Sequence, residues 1–387
     1  MTGTLRLSFD ATAVPLNPVG AGRYTIDLAR ALGRLSEVET SIWCRSGDGG
    51  RIGDATGGTS RTLSSAPRPR ALRLVWEQVM LPRLVDKLGA DVHHAPHYTM
   101  PERCRTPVVV TVHDLTFFDH PEWHERSKVL LFRRAIRVAA RRAEVLVCVS
   151  QATARRLDEL LKPRGEVVVV PHGVDTGRFR PPVAADDDAD DAVLQRAGVR
   201  RPYVLFVGTQ EPRKAIPDLV RAFDQVASGD RELSLVIAGG HGWGAAAVDA
   251  AVSAARHRER IFRTGYVDDQ AIAVLMRRAG VVAYPALEEG FGLPALEALA
   301  CATPLVTTSG SAMAEVAGNA ALLVAPRDSV ALAEAVHEAV RRGPAVEARI
   351  AEGLAIAARH TWEASAQGHL DAYKLAVSTA KRGQTAR

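Results

Sequence analysis

Residues 288–300 read EEGFGLPALEALA and directly follow an apolar stretch, GVVAYPAL. Glu289 and Glu297 are separated by seven residues that include Gly290, Phe291, Gly292 and Pro294. The glycines permit backbone angles barred to other residues and let a ligand approach the main chain. Pro294 suits the start of a helix, where its missing N–H would have no partner in any case. The spacing predicts a strand, a glycine turn and a helix start. Free N–H groups near residues 292–295, with the helix dipole behind them, would bind an anion such as phosphate. Glu297, placed in the first turn of that helix, would repel a phosphate but can accept hydrogen bonds from a vicinal diol such as a ribose. Glu289 would face the other end of the same ligand. Two plainer roles stay open: Glu297 as a capping acid and Glu289 as a solvated loop charge.

Other residues fall at similar places. Arg213 and Lys214 follow the apolar run YVLFVG and its Gly208. Gly20 and Gly22 stand in NPVGAGRYT, a G-x-G-x-x-T spacing that lacks the third glycine of a dinucleotide-binding loop, so an NAD site is disfavoured. His113 ends VVVTVHD, and His93, His94 and His97 cluster in HHAPHYTMP. Those three histidines read as local packing or acceptor-side lining rather than a metal site. The acids of DDDADD (186–191) have no apolar strand leading into them, so they read as a solvated linker and not as a metal-binding Asp-x-Asp. Cys44, Cys104, Cys148 and Cys301 are scattered without a C-x-x-C pair and read as buried free thiols.

Elements must bring these residues together. Short apolar runs at 5–10, 106–114, 145–150, 167–171, 203–208, 233–239, 280–285 and 304–309 alternate with helical patterns. Strands apolar on both faces, alternating with helices, imply parallel sheets. The stretch 171–192 is rich in Pro, Gly and Asp and reads as a linker. The fold class expected is therefore α/β, with two doubly wound parallel-sheet domains at 1–180 and 181–360. A last helical pattern in 361–387 would pack back on the first domain. A length of 387 residues with 47% hydrophobic and 24% charged residues is enough for two cores. A net charge of +5 without a concentrated basic element disfavours nucleic acid as a partner. The N-terminus lacks the pattern of a signal peptide and no run is long enough to span a bilayer, so a cytoplasmic location is expected.

The E-x7-E spacing with the interior GFGLPAL resembles the signature of retaining GT-B glycosyltransferases of the family-four type. FVGTQEPRKAIPDLVRAF (206–223), NPVGAGRYTIDLARAL (17–32), VVVTVHDLTFF (108–118), TGYVDDQAIAVLMRRAG (264–280) and PHGVD (171–175) are similar to other segments of that family. The resemblance implies a GT-B architecture: two Rossmann-like domains facing a cleft, an acceptor-side N-terminal domain, a nucleotide-sugar-binding C-terminal domain, and neither metal nor cofactor. It implies that Arg213 and Lys214 hold the donor diphosphate, whose growing charge needs fixed cations where no metal is used. Glu289 would orient or electrostatically support the sugar, and His113 would contact it. Gly20, Gly22, Gly208, Val267, Gly290, Phe291, Gly292, Leu293 and Glu297 would bind the donor, Val267 through backbone near the base.

HDLTFF and HHAPHYTMP look like mannosyltransferases within the family, which makes GDP-mannose the first donor expected and a glycan or lipid-linked hydroxyl the acceptor. A GT-B-shaped epimerase or phosphorylase and a non-catalytic nucleotide-sugar-binding protein stay open beside it. KVLLFRRAIRVAARRAEVL (128–146) has apolar residues at 129, 132, 136, 139 and 143 with arginines around them. It reads as a domain helix with its stripe in the core, and peripheral membrane contact stays open as a second use.

Overall fold

The structure, a computed structural model, describes residues 4–385. Residues 1–3 and 386–387, at the ends of the expected segments 1–180 and 361–387, lie outside the described residues. Two compact units are present: Met1–Gly173 together with Trp362–Arg387, and Val174–Thr361. Where the sequence reading divides the chain near residue 180, the second unit begins at Val174.

Among the described residues unit 1 carries seven parallel strands: β1 (Leu5–Asp10), β2 (Val38–Arg45), β3 (Arg61–Ala66), β4 (Val92–Ala95), β5 (Val108–Val112), β6 (Val145–Cys148) and β7 (Glu166–Val169). Their order is β3-β2-β1-β4-β5-β6-β7, with Leu5 opposite Val38 and Leu7 opposite Val92. Unit 2 carries β8 (Tyr203–Val207), β9 (Ser234–Ala238), β10 (Ile261–Gly265), β11 (Val281–Tyr284), β12 (Leu305–Thr308) and β13 (Ala321–Val324), in the order β10-β9-β8-β11-β12-β13. The Val-rich central strands are buried along their whole length, as parallel strands covered by helices on both faces must be.

The acidic run is a correction. It is no solvated linker: Asp187–Arg196 is a helix of unit 2, and Asp190 is 1% exposed. Arg277 and Arg278, in the last turn of the helix Asp269–Arg278, donate from Nε to Asp190 at 2.8 and 2.6 Å, and Arg180 binds Asp186 at 2.7 Å. Acids in a first turn complement the helix dipole, and the paired guanidiniums make burial of Asp190 tolerable.

The helix Arg126–Arg142 turns Val129, Ile136 and Ala139 into the core of unit 1, so its apolar stripe is internal. Arg133 donates to the carbonyls of Phe117 (2.6 Å) and Phe118 (3.1 Å). No helix among the described residues is long and apolar enough to cross a membrane. Cys44, Cys148 and Cys301 are buried free thiols and Cys104 a half-buried one.

The helix Trp362–Thr385 belongs to unit 1 and is tied in by a buried chain of hydrogen bonds. The carbonyl of Ser365 can only accept, so His369 carries its proton on Nδ1 (2.7 Å) and takes a bond on Nε2 from the Tyr24 hydroxyl (2.8 Å). Tyr24 then accepts from Thr111 (2.8 Å), Thr111 from His94 Nε2–H (2.8 Å), and His94 Nδ1 from Tyr373 (2.8 Å). One proton order satisfies every member, and it requires both histidines neutral. Both ring nitrogens of His94 are thereby used in packing.

Burial depresses the pKa of His93 and His369 to about 4 and lowers that of His94, His113 and His172. The unfolded chain, titrating near 6.5, binds more protons than the folded one below that pH. Stability present above pH 6.5 is therefore lost as pH falls towards 4, by up to about 1.4 kcal/mol per pH unit for each histidine. Buried Glu77, raised to about 7, acts in the opposite sense: its stability contribution is present at low pH and lost as pH rises through 7. Trp43, Trp76, Trp123 and Trp362 lie in unit 1 and Trp243 alone in unit 2, so tryptophan fluorescence reports unit 1. The urea midpoint followed by fluorescence is expected to fall steeply between pH 6.5 and 4.5. His369→Gln should lower the midpoint at pH 7.5 and flatten that slope.

Candidate active site

In unit 2 the chain runs outward in opposite directions from the neighbours β8 and β11, which leaves a crevice beyond their carboxyl ends. The loop after β8 supplies Arg213 and Lys214, and the loop after β11 supplies Glu289 and the glycine turn. A backbone bond laces the two loops: the Leu287 N–H donates to the Arg213 carbonyl at 2.8 Å.

Arg213 donates from Nη1 to Glu289 Oε2 (2.7 Å) and to the Glu288 carbonyl (3.2 Å), and from Nε to Glu211 Oε2 (2.7 Å). Lys214, 6% exposed, donates to the Tyr284 hydroxyl at 2.6 Å and also pairs with Glu289 Oε1. The Tyr284 hydroxyl in turn donates to Glu289 Oε1 at 3.2 Å. Burial pushes the Tyr284 phenol far above its ordinary range, so it stays a donor. One carboxylate thus holds two cations, and Glu211 balances the second charge.

Gly292 has φ 93° and caps the helix Leu293–Ala300; a Cβ there would run into the Met313 side chain. The Ala295 N–H is taken by the Gly292 carbonyl (3.0 Å) and Pro294 has none. Of the expected anion-binding amides at 292–295, those of Gly292 and Leu293 remain without a partner among the described residues. Glu297 is buried and lies one residue beyond the first turn, which corrects its expected place: the helix starts at Leu293. Gly208, Gly290 and Phe291 flank the same crevice. Val267 follows β10 and is separated from β8 by β9.

The remaining predicted residues belong to unit 1. Its own reversal of direction falls between β1 and β4. Gly20 caps the helix Ala21–Leu32 after β1, with Gly22 packed under Pro15 and Pro18. His113 follows β5; its Nε2–H donates to the Pro96 carbonyl (2.8 Å), which leaves Nδ1 an acceptor.

Residues 18–178 match the family described as Glycosyltransferase Family 4, and residues 201–342 match Glycosyl transferases group 1. The chain belongs to the family-four type of GT-B glycosyltransferases. It is 26% identical, over 96% of its length and all of the relative's, to an O-antigen chain mannosyltransferase B of Escherichia coli. It is 33% identical to a D-inositol 3-phosphate glycosyltransferase of Rhodococcus opacus (strain B4), over 58% of this chain and 52% of that one. The fold is similar to that of Anabaena Alr3699/HepE in complex with UDP and glucose, with a TM-score of 0.74 at 18% identity, covering 96% of this chain and 99% of the other.

Sequence reasoning passed over two features of this glycosyltransferase. Tyr284 was read only as part of a strand, although a polar-tipped residue at the carboxyl end of a buried strand was the signal. The other is Glu77, fully buried in unit 1, which accepts from Thr99 (2.9 Å) and Arg73 (3.4 Å). A lone acid inside the apolar helical run RALRLVWEQV could have marked it.

Tyr284→Phe removes an acceptor from buried Lys214 and a donor from Glu289, and should lower stability by about 1–3 kcal/mol. Gly292→Ala combines left-handed strain of about 1–2 kcal/mol with the Met313 clash, and should be more damaging still. Urea denaturation of both variants checks the order.

Proposed function

We propose that the protein transfers a hexose from a nucleotide-diphosphate sugar to a hydroxyl acceptor with retention at the anomeric carbon and without a metal. Mannose from GDP-mannose is the donor proposed, and a glycan or lipid-linked hydroxyl of envelope polysaccharide synthesis the acceptor. What supports the reading is the meeting of Arg213, Lys214 and Glu289 at the crevice of unit 2. The mannosyltransferase relative supports the donor.

Arg213, Lys214, Glu211 and Glu289 together carry no net charge, so an arriving diphosphate competes with the Glu289 carboxylate for its two cations. Exchange puts the diphosphate on Arg213 and Lys214, near the amides of Gly292 and Leu293, and releases Glu289 to the sugar. As the glycosidic bond breaks, the leaving oxygen gains charge where these donors already point. The acceptor hydroxyl attacks from the same face, and the departing diphosphate takes its proton. In this reading His113 meets the transferred sugar, Gly20 and Gly22 offer backbone to the donor, Glu297 holds the ribose, and Val267 lies near the base. Work at the cytoplasmic face of a membrane, with the outer side of the helix Arg126–Arg142 towards the lipid, completes the proposal.

Thermal shifts with GDP, UDP, ADP and TDP and their sugars, in EDTA, are expected to single out GDP. The anomeric configuration of the product, read by proton NMR, should match that of the donor. Glu289→Gln should lower turnover ~10²–10³-fold yet bind the free nucleoside diphosphate at least as tightly as wild type. Weaker binding by that variant would contradict the exchange.

A further inference from the structure

A hollow of about 490 Å³ in unit 1 is lined by Glu102, Val138, Arg141, Arg142 and Arg164. Arg141 and Arg142 end the helix that precedes β6, Arg164 lies in the turn before β7, and Glu102 in the turn before β5. The hollow therefore sits at the amino ends of these strands, on the opposite edge of the sheet from Gly20, Gly22 and His113.

Basic residues at a helix C-terminus ordinarily complement the dipole and bind its last carbonyls. Here backbone does part of that work: the Ala143 N–H takes the Ala139 carbonyl (2.9 Å) and the Arg164 N–H takes the Ala140 carbonyl (2.8 Å). The second bond also docks the Arg164 turn against the helix. Gly165 makes the docking feasible, since a Cβ there would collide with the carbonyls of Ala143 and Glu144. The nearby carboxylate, Glu102, is already paired with Arg134 at 2.5 Å, while its carbonyl accepts from Arg142 Nη1 (2.8 Å). Arg141 and Arg164 have no carboxylate partner among the described residues. Arginines from two separate elements line one hollow whose single carboxylate, Glu102, is paired with Arg134 outside it, and guanidiniums match the forked geometry of a phosphate.

We infer that this hollow is a phosphate-binding site, separate from the donor crevice, that takes either a free polyphosphate anion or the phosphate headgroup of a lipid. Arg141 and Arg164 would supply the charge and Arg142 the rim.

The test compares wild type with R141Q/R164Q, both exposed positions, and with R256Q/R258Q, which removes equal charge from the exposed surface of unit 2. Inorganic pyrophosphate is titrated by calorimetry, and sedimentation is measured with vesicles of phosphatidylcholine alone and with added phosphatidylglycerol. Pyrophosphate held at the donor crevice is common to all three proteins, so the difference isolates the hollow. With melting temperatures unchanged, a tenfold or greater loss confined to R141Q/R164Q is expected. Loss in the pyrophosphate arm identifies a free anion, and loss only with anionic vesicles identifies a headgroup. Equal binding of both ligands by wild type and R141Q/R164Q, an equal loss in the control, or no binding of either by wild type would overturn the site.

Discussion

Parallel pairing is the constraint from which the rest follows. A parallel strand must return over a helix before its neighbour can form, so every loop that leaves a strand's carboxyl end emerges on one edge of the sheet. Where the direction of winding reverses, two such loops diverge and a crevice opens between them. In unit 2 that reversal brings Arg213 and Glu289 together although 76 positions separate them in the chain. Backbone lacing between Leu287 and Arg213 then fixes the loops, and the side chains need little further ordering to reach one another.

Two buried polar clusters, one in each unit, are satisfied in opposite ways. Unit 2 gathers full charges and balances them, cation against carboxylate, which avoids the heavy cost of an unpaired buried ion. Beneath its last helix unit 1 instead buries a neutral chain of polar groups, although the pair Arg73–Glu77 is buried elsewhere in the same unit. The chain from the Ser365 carbonyl through His369, Tyr24, Thr111 and His94 to Tyr373 works because each of the four inner members donates once and accepts once. The first arrangement is the one proposed to exchange one anion for another; the second has a single solution and suits a scaffold.

Much of the architecture was legible because the central strands are apolar on both faces. Strands without a continuous apolar run were not. β3 reads RTLSSA, lies largely exposed at an edge and has no reason to be apolar; edge strands β10 and β13 are only partly buried, while β2 (VETSIWCR) and β4 (VHHA) are buried but carry polar residues. At the candidate site, Gly290, Gly292, Glu289 and Glu297 were visible because a turn of that shape must be encoded locally. Tyr284 was hidden by its strand. Asp190 was misread because its partners, Arg277 and Arg278, lie 87 and 88 positions away. The Tyr24–His369 bond spans 345 positions, and no local pattern can announce it.

Unit 2 enters and leaves through adjoining residues: Val174 pairs with Thr361 and its N–H bonds the His360 carbonyl at 2.9 Å. It is, in effect, a complete domain inserted into another. On the ribosome this reverses the usual order of events. The strands of unit 1 are made first, but Tyr24, Thr111 and His94 must wait for His369 and Tyr373 while all of unit 2 is translated, a delay on the order of ten seconds or more. The unit synthesised second can finish folding first, and the unit synthesised first spends that interval with an open face awaiting its last helix.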